Sequence, residues 1–262
     1  MAQEFDSIAV YYDVLAADSA RLKRETPFLE ECLKSAPGLD VVDIACGTGV
    51  HALFLAEHGA DVIARDLSSE MIEYSKARRP HPCIRYEIGD MRKLNCEPRD
   101  LVLCLGNSLC LLPSQEAVAE TFASVSASLR PGGLFAIQII NYASTANAAP
   151  RHLINRVRCE GAEIIAVKNL VPCEDRTLLS LAFFILEQGR SVADSAILMN
   201  LSLAELDAFA ERVGLRRVSL YGGFNQSQYG LSISTDLICL YKKQVPNPLG
   251  SFPGSAVETV RV

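Results

Sequence analysis

No stretch of these 262 residues approaches the roughly 20 consecutive apolar positions that a membrane-crossing helix needs. The N-terminus does not join a basic start to an apolar core and a small-residue cleavage site, so a cytoplasmic protein that does not insert in a membrane is expected. Basic stripes are missing too. The 25 Lys and Arg residues are scattered, in short pairs such as Arg78-Arg79 and Arg216-Arg217, and 31 Asp and Glu outnumber them for a net charge of -6. A surface that tracks phosphates needs clustered positive charge, so no nucleic-acid partner is expected. Nine cysteines, at 32, 46, 83, 96, 104, 110, 159, 173 and 239, include no C-x-x-C pair and are odd in number. They read as free thiols in a reducing compartment. The four histidines show no ligand spacing with one another or with the cysteines, so no metal is expected. No internal repeat is present.

What is there is globular: 49% hydrophobic and 21% charged residues, enough for a packed core. A helical leader occupies residues 1–38. From 39 to 142, short β-branched runs alternate with amphipathic stretches, the pattern of a parallel sheet with crossover helices. Strands are predicted at 40–45, 60–65, 84–88, 101–105 and 134–140. Helices are predicted at 50–58, closed by Gly59, at 68–79, capped by Ser68 or Ser69, and at 114–130, ended by Pro131-Gly132-Gly133. Residues 143–200 change character, with apolar runs at 163–171, 177–187 and 191–200 that predict an antiparallel β insertion or lid. Ser202 to Glu205 is a capping box opening a helix that ends at Gly214, and strands at 215–221 and 236–241 return to the core formed by 39–142 and 201–243. The tail from 244 to 262, rich in Pro and Gly, is expected to be flexible. The fold class is therefore α/β: a doubly wound, Rossmann-like sheet of seven strands, with a C-terminal antiparallel strand pair and an antiparallel β insertion.

The chemistry-bearing segment is Asp43-Ile44-Ala45-Cys46-Gly47-Thr48-Gly49. An apolar strand runs through two glycines straight into a helix, so backbone N–H groups converge on whatever binds there. Gly47, Gly49 and Ala52 also satisfy the G-x-G-x-x-G/A fingerprint, and Asp66 stands 17 residues past Gly49, where a carboxylate can accept from both hydroxyls of a ribose. On this evidence the ligand is either a nicotinamide dinucleotide or an adenosyl cofactor. Cys46 fills a small-residue slot rather than acting as a nucleophile, and His51 reads as structural.

Asp43, Ala45, Gly47 and Gly49, followed by Asp66, by Asp90-Met91 and by the last strand pair, resemble the class I S-adenosylmethionine-dependent methyltransferases. Within that class the strings from Val42 to Gly49 and Leu105-Gly106-Asn107-Ser108, then Leu129 to Leu134 and Asn141-Tyr142, are similar to the glycine N-methyltransferase group. The resemblance implies S-adenosylmethionine as cofactor. Asp66 and Leu67 would lie at its ribose, with Met71 close by, and Asp90 and Met91 would lie at its adenine. Asp43, Ala45, Cys46, Leu105 and Gly106 would line its path. Tyr11, Tyr12 and Arg21 of the leader would reach its methionine end, Arg21 pairing with the carboxylate and Arg24 the alternative. The arginine that this group uses near the end of the insertion, for an amino-acid carboxylate, has apolar or small residues of 191–196 opposite it; Arg190 is near but not aligned.

Methyl transfer is an in-line displacement that needs the nucleophile held about 3 to 3.5 Å from the methyl carbon. Asn107, Ser108, Asn141 and Tyr142 follow the fourth and fifth strands, at the edge where open α/β sheets bind ligands, and are the candidates for positioning the acceptor. The expected partner is a small molecule accepting the methyl group on nitrogen. Homo-oligomerisation is compatible with this composition. Two other readings use the same loop: an NAD(P)-dependent oxidoreductase, for which no Tyr-x-x-x-Lys acid is found, and a non-catalytic protein that binds adenosylmethionine.

Overall fold

A computed structural model describes residues 5–16, 19–159 and 161–245. After the leader helices α1 (Ala9–Ala16) and α2 (Ser19–Ser35), β1 (Asp40–Ile44) opens the sheet, and its valines and isoleucine bury on both faces. Then come α3 (Val50–Glu57), β2 (Asp61–Asp66), α4 (Ser69–Arg78), β3 (Ile84–Ile88), β4 (Arg99–Cys104), α5 (Gln115–Ser128) and β5 (Leu129–Ile140). Ser68 and Ser114 cap α4 and α5 by accepting the N–H groups of Met71 and Ala117. The insertion forms β6 (Arg151–Cys159), β7 (Ala162–Cys173), β8 (Arg176–Ile185) and β9 (Arg190–Met199). The Ser202–Glu205 capping box then starts α6 (Leu203–Arg212), and β10 (Leu215–Tyr221) and β11 (Asp236–Lys243) close the core.

Two sheets result. The large one has the order β10-β11-β5-β4-β1-β2-β3, parallel from β3 to β5 and antiparallel on both sides of β11. The small one is the antiparallel meander β6-β7-β8-β9. This is the doubly wound architecture expected from the sequence. The strand order reverses between β1 and β4, and the crevice outside the carboxyl ends at such a reversal is the usual ligand position in sheets of this kind. Both glycine turns lie there, one after β1 and one after β4.

The leader joins the two sheets. Helix α1 packs against α4 on one side and β6 and β7 on the other; Tyr11 stacks on Phe183 of β8 with ring centroids 6.0 Å apart, and Asp194 of β9 accepts the Phe5 N–H at 2.8 Å. Asp13 receives Tyr74 Oη at 3.0 Å and Arg79 at 2.8 Å, and Arg79 also donates to the Thr48 carbonyl.

Three sequence expectations are corrected. The helix predicted to reach Arg130 stops at Ser128, because Pro131 disfavours a helical conformation at Arg130; Leu129 is already extended and pairs with Arg99. Strand β4 accordingly starts at Arg99, two residues earlier than predicted. Strand β6 was not predicted at all: it carries Arg151, Arg156 and Arg158 on a sheet edge, where charge replaces the apolar run that marks an inner strand. The tail expectation falls outside the described residues from 246 onward. Among the described residues, no helix is long and apolar enough to cross a membrane.

Candidate active site

The loop after β1 owes its shape to backbone conformation. Ala45, Gly47 and Gly49 take positive φ values of 63°, 54° and 79°, turning successive N–H groups toward one concavity. A Cβ on Gly49 would stand 2.8 Å from Tyr86 Oη, so the loop is pressed against β3. A Cβ on Gly47 would meet nothing within 4 Å: this glycine borders open space and serves the turn alone. Asp66 fixes the loop from β2, with Oδ2 accepting the Gly47 N–H at 2.8 Å and Oδ1 the Ser68 N–H at 3.0 Å. Burial raises the Asp66 carboxyl, while those N–H groups pull it back.

Asp43 is the unusual member. Its side chain shares a face of β1 with Val41, it is 1% exposed, and its Oδ2 has no hydrogen-bond partner. Burial pushes the carboxyl up to about 7, with His51 opposing and Asp66 reinforcing. A buried carboxylate oxygen without a donor is costly, and it fits a cationic group of a ligand lying over the glycine loop.

Arg21 reaches the same crevice from α2. One NH2 nitrogen lies 3.9 Å from where a Cβ on Gly106 would stand, and its Nε is held by Glu25 at 2.8 Å. Glu25, 2% exposed, takes His51 Nε2 on its other oxygen at 2.8 Å. Burial would raise Glu25, but the His51 hydrogen bond and the Arg21 charge outweigh it and hold the carboxyl below its ordinary value. His51 is structural, as expected, and its task is now visible: it holds Glu25, which holds Arg21. Glu25 carried no signal in the sequence except its i,i+4 spacing from Arg21. Arg24 instead lines a separate cavity of about 500 Å³ beside the 222–228 turn, so the geometry favours Arg21 for a ligand carboxylate. Tyr12 lies in the fields of both Arg21 and Asp66, and burial raises its hydroxyl.

Leu67 is 52% exposed beside Asp66, whereas Met71 is buried in α4 and Met91 packs against the main core. The Asp90 carboxylate is gripped by Arg92 through Nε and NH2, the shortest contact 2.6 Å, and lies below its ordinary value mainly for that reason. Cys46 is buried and its thiol is pushed far up by burial, which suits a space-filling role.

The turn after β4 is built by a residue that gave no sequence signal. Gln138 Oε1 accepts the N–H groups of Gly106 and Asn107 at 2.8 and 3.2 Å, while its Nε2 donates to Asp236. Leu105 is buried, and Ser108 Oγ donates back to the Leu105 carbonyl, closing the turn. Asn107 donates to Tyr142 Oη at 2.9 Å and accepts the Ile140 N–H at 2.8 Å, tying the ends of β4 and β5 together. Burial raises the Tyr142 hydroxyl, so it stays protonated. Asn141 is corrected: both Nδ2 hydrogens go to the Leu231 and Ser234 carbonyls at 2.8 Å, and Oδ1 accepts from Tyr229 Oη and the Ala143 N–H. With that capacity filled, it fixes the 229–235 loop and cannot position an acceptor. Among the described residues, no group of three or more His, Cys, Asp and Glu is placed to hold a metal ion.

Comparison with known proteins agrees with this geometry. A family model described as a methyltransferase domain matches residues 41–133. The chain is 31% identical over 142 residues to a glycine/sarcosine N-methyltransferase of Halorhodospira halochloris, covering 52% of this chain and 53% of that protein. It is 26% identical over 187 residues to the dTDP-3-amino-3,4,6-trideoxy-alpha-D-glucopyranose N,N-dimethyltransferase of Streptomyces venezuelae, covering 70% and 78%. The matched region spans about half the length of the first of these relatives. The solved CcbJ methyltransferase from Streptomyces caelestis has the same fold, with a TM-score of 0.75 at 22% identity over 92% of this chain and 97% of that one. Residues 41–133 thus match a methyltransferase domain, and in fold and partial sequence the chain is similar to the S-adenosylmethionine-dependent methyltransferases, glycine/sarcosine N-methyltransferases among them.

Proposed function

We propose that this chain transfers the methyl group of S-adenosylmethionine to the nitrogen of a small-molecule amine. The buried, partnerless Oδ2 of Asp43 beside the Ala45–Gly49 cradle carries the reading, because it calls for a cationic donor in the place where a methionine ammonium would lie. Arg21, oriented by Glu25, would pair with the neighbouring carboxylate. Asp66 has lone pairs left for ribose hydroxyls beyond the two N–H groups it holds, and Leu67 offers exposed apolar surface next to it. Asp90 would reach the adenine amino group from within its Arg92 pair.

When bound, S-adenosylmethionine supplies an electrophilic methyl carbon on a sulfonium. The chain's own part is to bind, orient and exclude water. The leader, packed between α4 and the insertion, would cover the cofactor, and the neutral Tyr142 hydroxyl, paired with Asn107 at the carboxyl edge of β5, would position the amine. Nitrogen is favoured as acceptor by the names of the relatives, which include glycine/sarcosine N-methylation and amino-sugar N,N-dimethylation. The free thiols suit a reducing cytoplasm. Isothermal titration with S-adenosylhomocysteine and with NAD(P) tests the cofactor: binding of the first alone is expected, and the reverse result overturns the proposal. Turnover of a labelled methyl group by a panel of amines then separates an enzyme from a passive binder.

A further inference from the structure

The inner face of the insertion carries positive charge that no carboxylate among the described residues answers. On β7, Ile164, Ala166, Lys168 and Leu170 alternate onto one side of the sheet, and the three apolar members are buried in the main core. Across the ladder Lys168 pairs with Leu153 of β6 and with Leu181 of β8, the latter 2% exposed. An ammonium set among such neighbours ordinarily has an acidic partner. Among the described residues Lys168 makes no hydrogen bond or ion pair. The charged groups that act on it are both cations, Arg21 of α2 and Arg151 of β6, and with burial as the larger cause they bring the ammonium down to about 8.

These cations share one space. Arg21 leans over Gly106 at the end of β4, and the charge of Arg151 reaches Tyr142 at the end of β5. Arg21 is paired with Glu25 and assigned to the cofactor side, whereas Lys168 and Arg151 pair with no carboxylate among the described residues. Three converging positive charges under an apolar sheet repel one another unless an anion enters between them. The carboxylate in the same cross-strand row, Asp194 of β9 beyond Leu181, is engaged by the leader, accepting the Phe5 N–H at 2.8 Å.

We infer that Lys168, with Arg151 beside it, holds an anionic group of the methyl acceptor, a carboxylate or a phosphate, so that the enzyme selects acidic amines. The inference rests on the methyltransferase reading above and deepens it. Lys168 acts through its charge, so arginine can replace it and an uncharged side chain cannot.

The test is isothermal titration on the full chain, in two steps. S-adenosylhomocysteine is titrated first into wild type, Lys168→Met, Lys168→Arg and Arg151→Gln, with thermal melting as the folding control. Sodium acetate and inorganic phosphate are then titrated separately into protein saturated with S-adenosylhomocysteine, which tells a carboxylate site from a phosphate site. The expected result is that wild type binds one of the two anions, that Lys168→Met weakens it at least tenfold and Arg151→Gln at least threefold, and that Lys168→Arg stays within threefold of wild type. Affinity for S-adenosylhomocysteine is unchanged throughout. The inference is overturned if wild type binds neither anion, if Lys168→Met binds as wild type does, or if it loses S-adenosylhomocysteine in proportion, which would assign Lys168 to the cofactor. Failure of wild type to bind S-adenosylhomocysteine is a different result: it removes the methyltransferase reading itself.

Discussion

The floor and the roof of the crevice have opposite electrostatics and opposite origins. The floor, at the ends of β1 and β2, offers Asp43 and Asp66, held by a loop whose geometry is set by positive φ angles and backbone hydrogen bonds. The roof, on the inner face of β6 and β7, offers Arg151 and Lys168 on strands held by pairing register and by apolar burial against the core. An acidic floor matches the ammonium and hydroxyl donors of a cofactor, while a basic roof matches an acidic acceptor. On the proposed assignments the contrast divides recognition of the two ligands between two sheets, so each is expected to be alterable without the other.

The largest predicted effect that tests this division is at Asp43. Its carboxyl lies near 7 in the folded chain against about 3.9 when unfolded. Protonated Asp43 therefore contributes stability that is whole below about pH 4 and is lost as pH rises through 7, about 4 kcal/mol in all. Thermal unfolding of the ligand-free protein between pH 4 and 8 should show this decline, and Asp43→Asn should flatten it. Over the same range, S-adenosylhomocysteine should bind more tightly as pH rises, since the ionised carboxylate is the form that attracts an ammonium.

The roof should respond with the opposite slope. Lys168 is depressed to about 8, so between there and about 10.4 the unfolded chain holds a proton that the folded chain has released, and stability rises with pH. Lys168→Met should remove that rise and stabilise the ligand-free protein at pH 7 by up to about 3 kcal/mol. A variant less stable than wild type at pH 7 would break the contrast between floor and roof. Next in size, Asp66→Ala should weaken S-adenosylhomocysteine binding by about 1.5 to 3 kcal/mol in a variant shown to be folded by circular dichroism, with the anion affinity of the roof unchanged. The smallest effect belongs to neither surface: Asn141→Ala should cost about 1 kcal/mol in thermal stability while leaving the affinity for S-adenosylhomocysteine as it was, because its bonds serve the 229–235 loop.

The same division governs what the sequence could tell. Gly47 and Gly49 were legible because a tight turn restricts residue type, Asp66 was singled out by its spacing from them, and the doubly wound sheet followed from alternating strands and helices. Glu25 and Gln138 were not, since a buried bracing contact between distant elements leaves no local pattern: Gln138 reaches Gly106 across 32 positions and Glu25 reaches His51 across 26. Asn141 was misjudged for the related reason that a strand-end amide looks the same whether it faces a ligand or its own loop. Lys168 hid inside an apolar alternation, where one polar residue resembles an exposed position until the register shows which face it takes.

Arg79 gives the glycine loop a property beyond binding. Its guanidinium donates to the Thr48 carbonyl and to the Asp13 carboxylate, so a single side chain is shared by the loop and the first leader helix. Neither can open without disturbing the bond of the other. In hydrogen exchange the amides of residues 9–16 and 47–49 are therefore expected to be protected and released together, and a ligand that quiets the loop to slow exchange in a helix it need not touch.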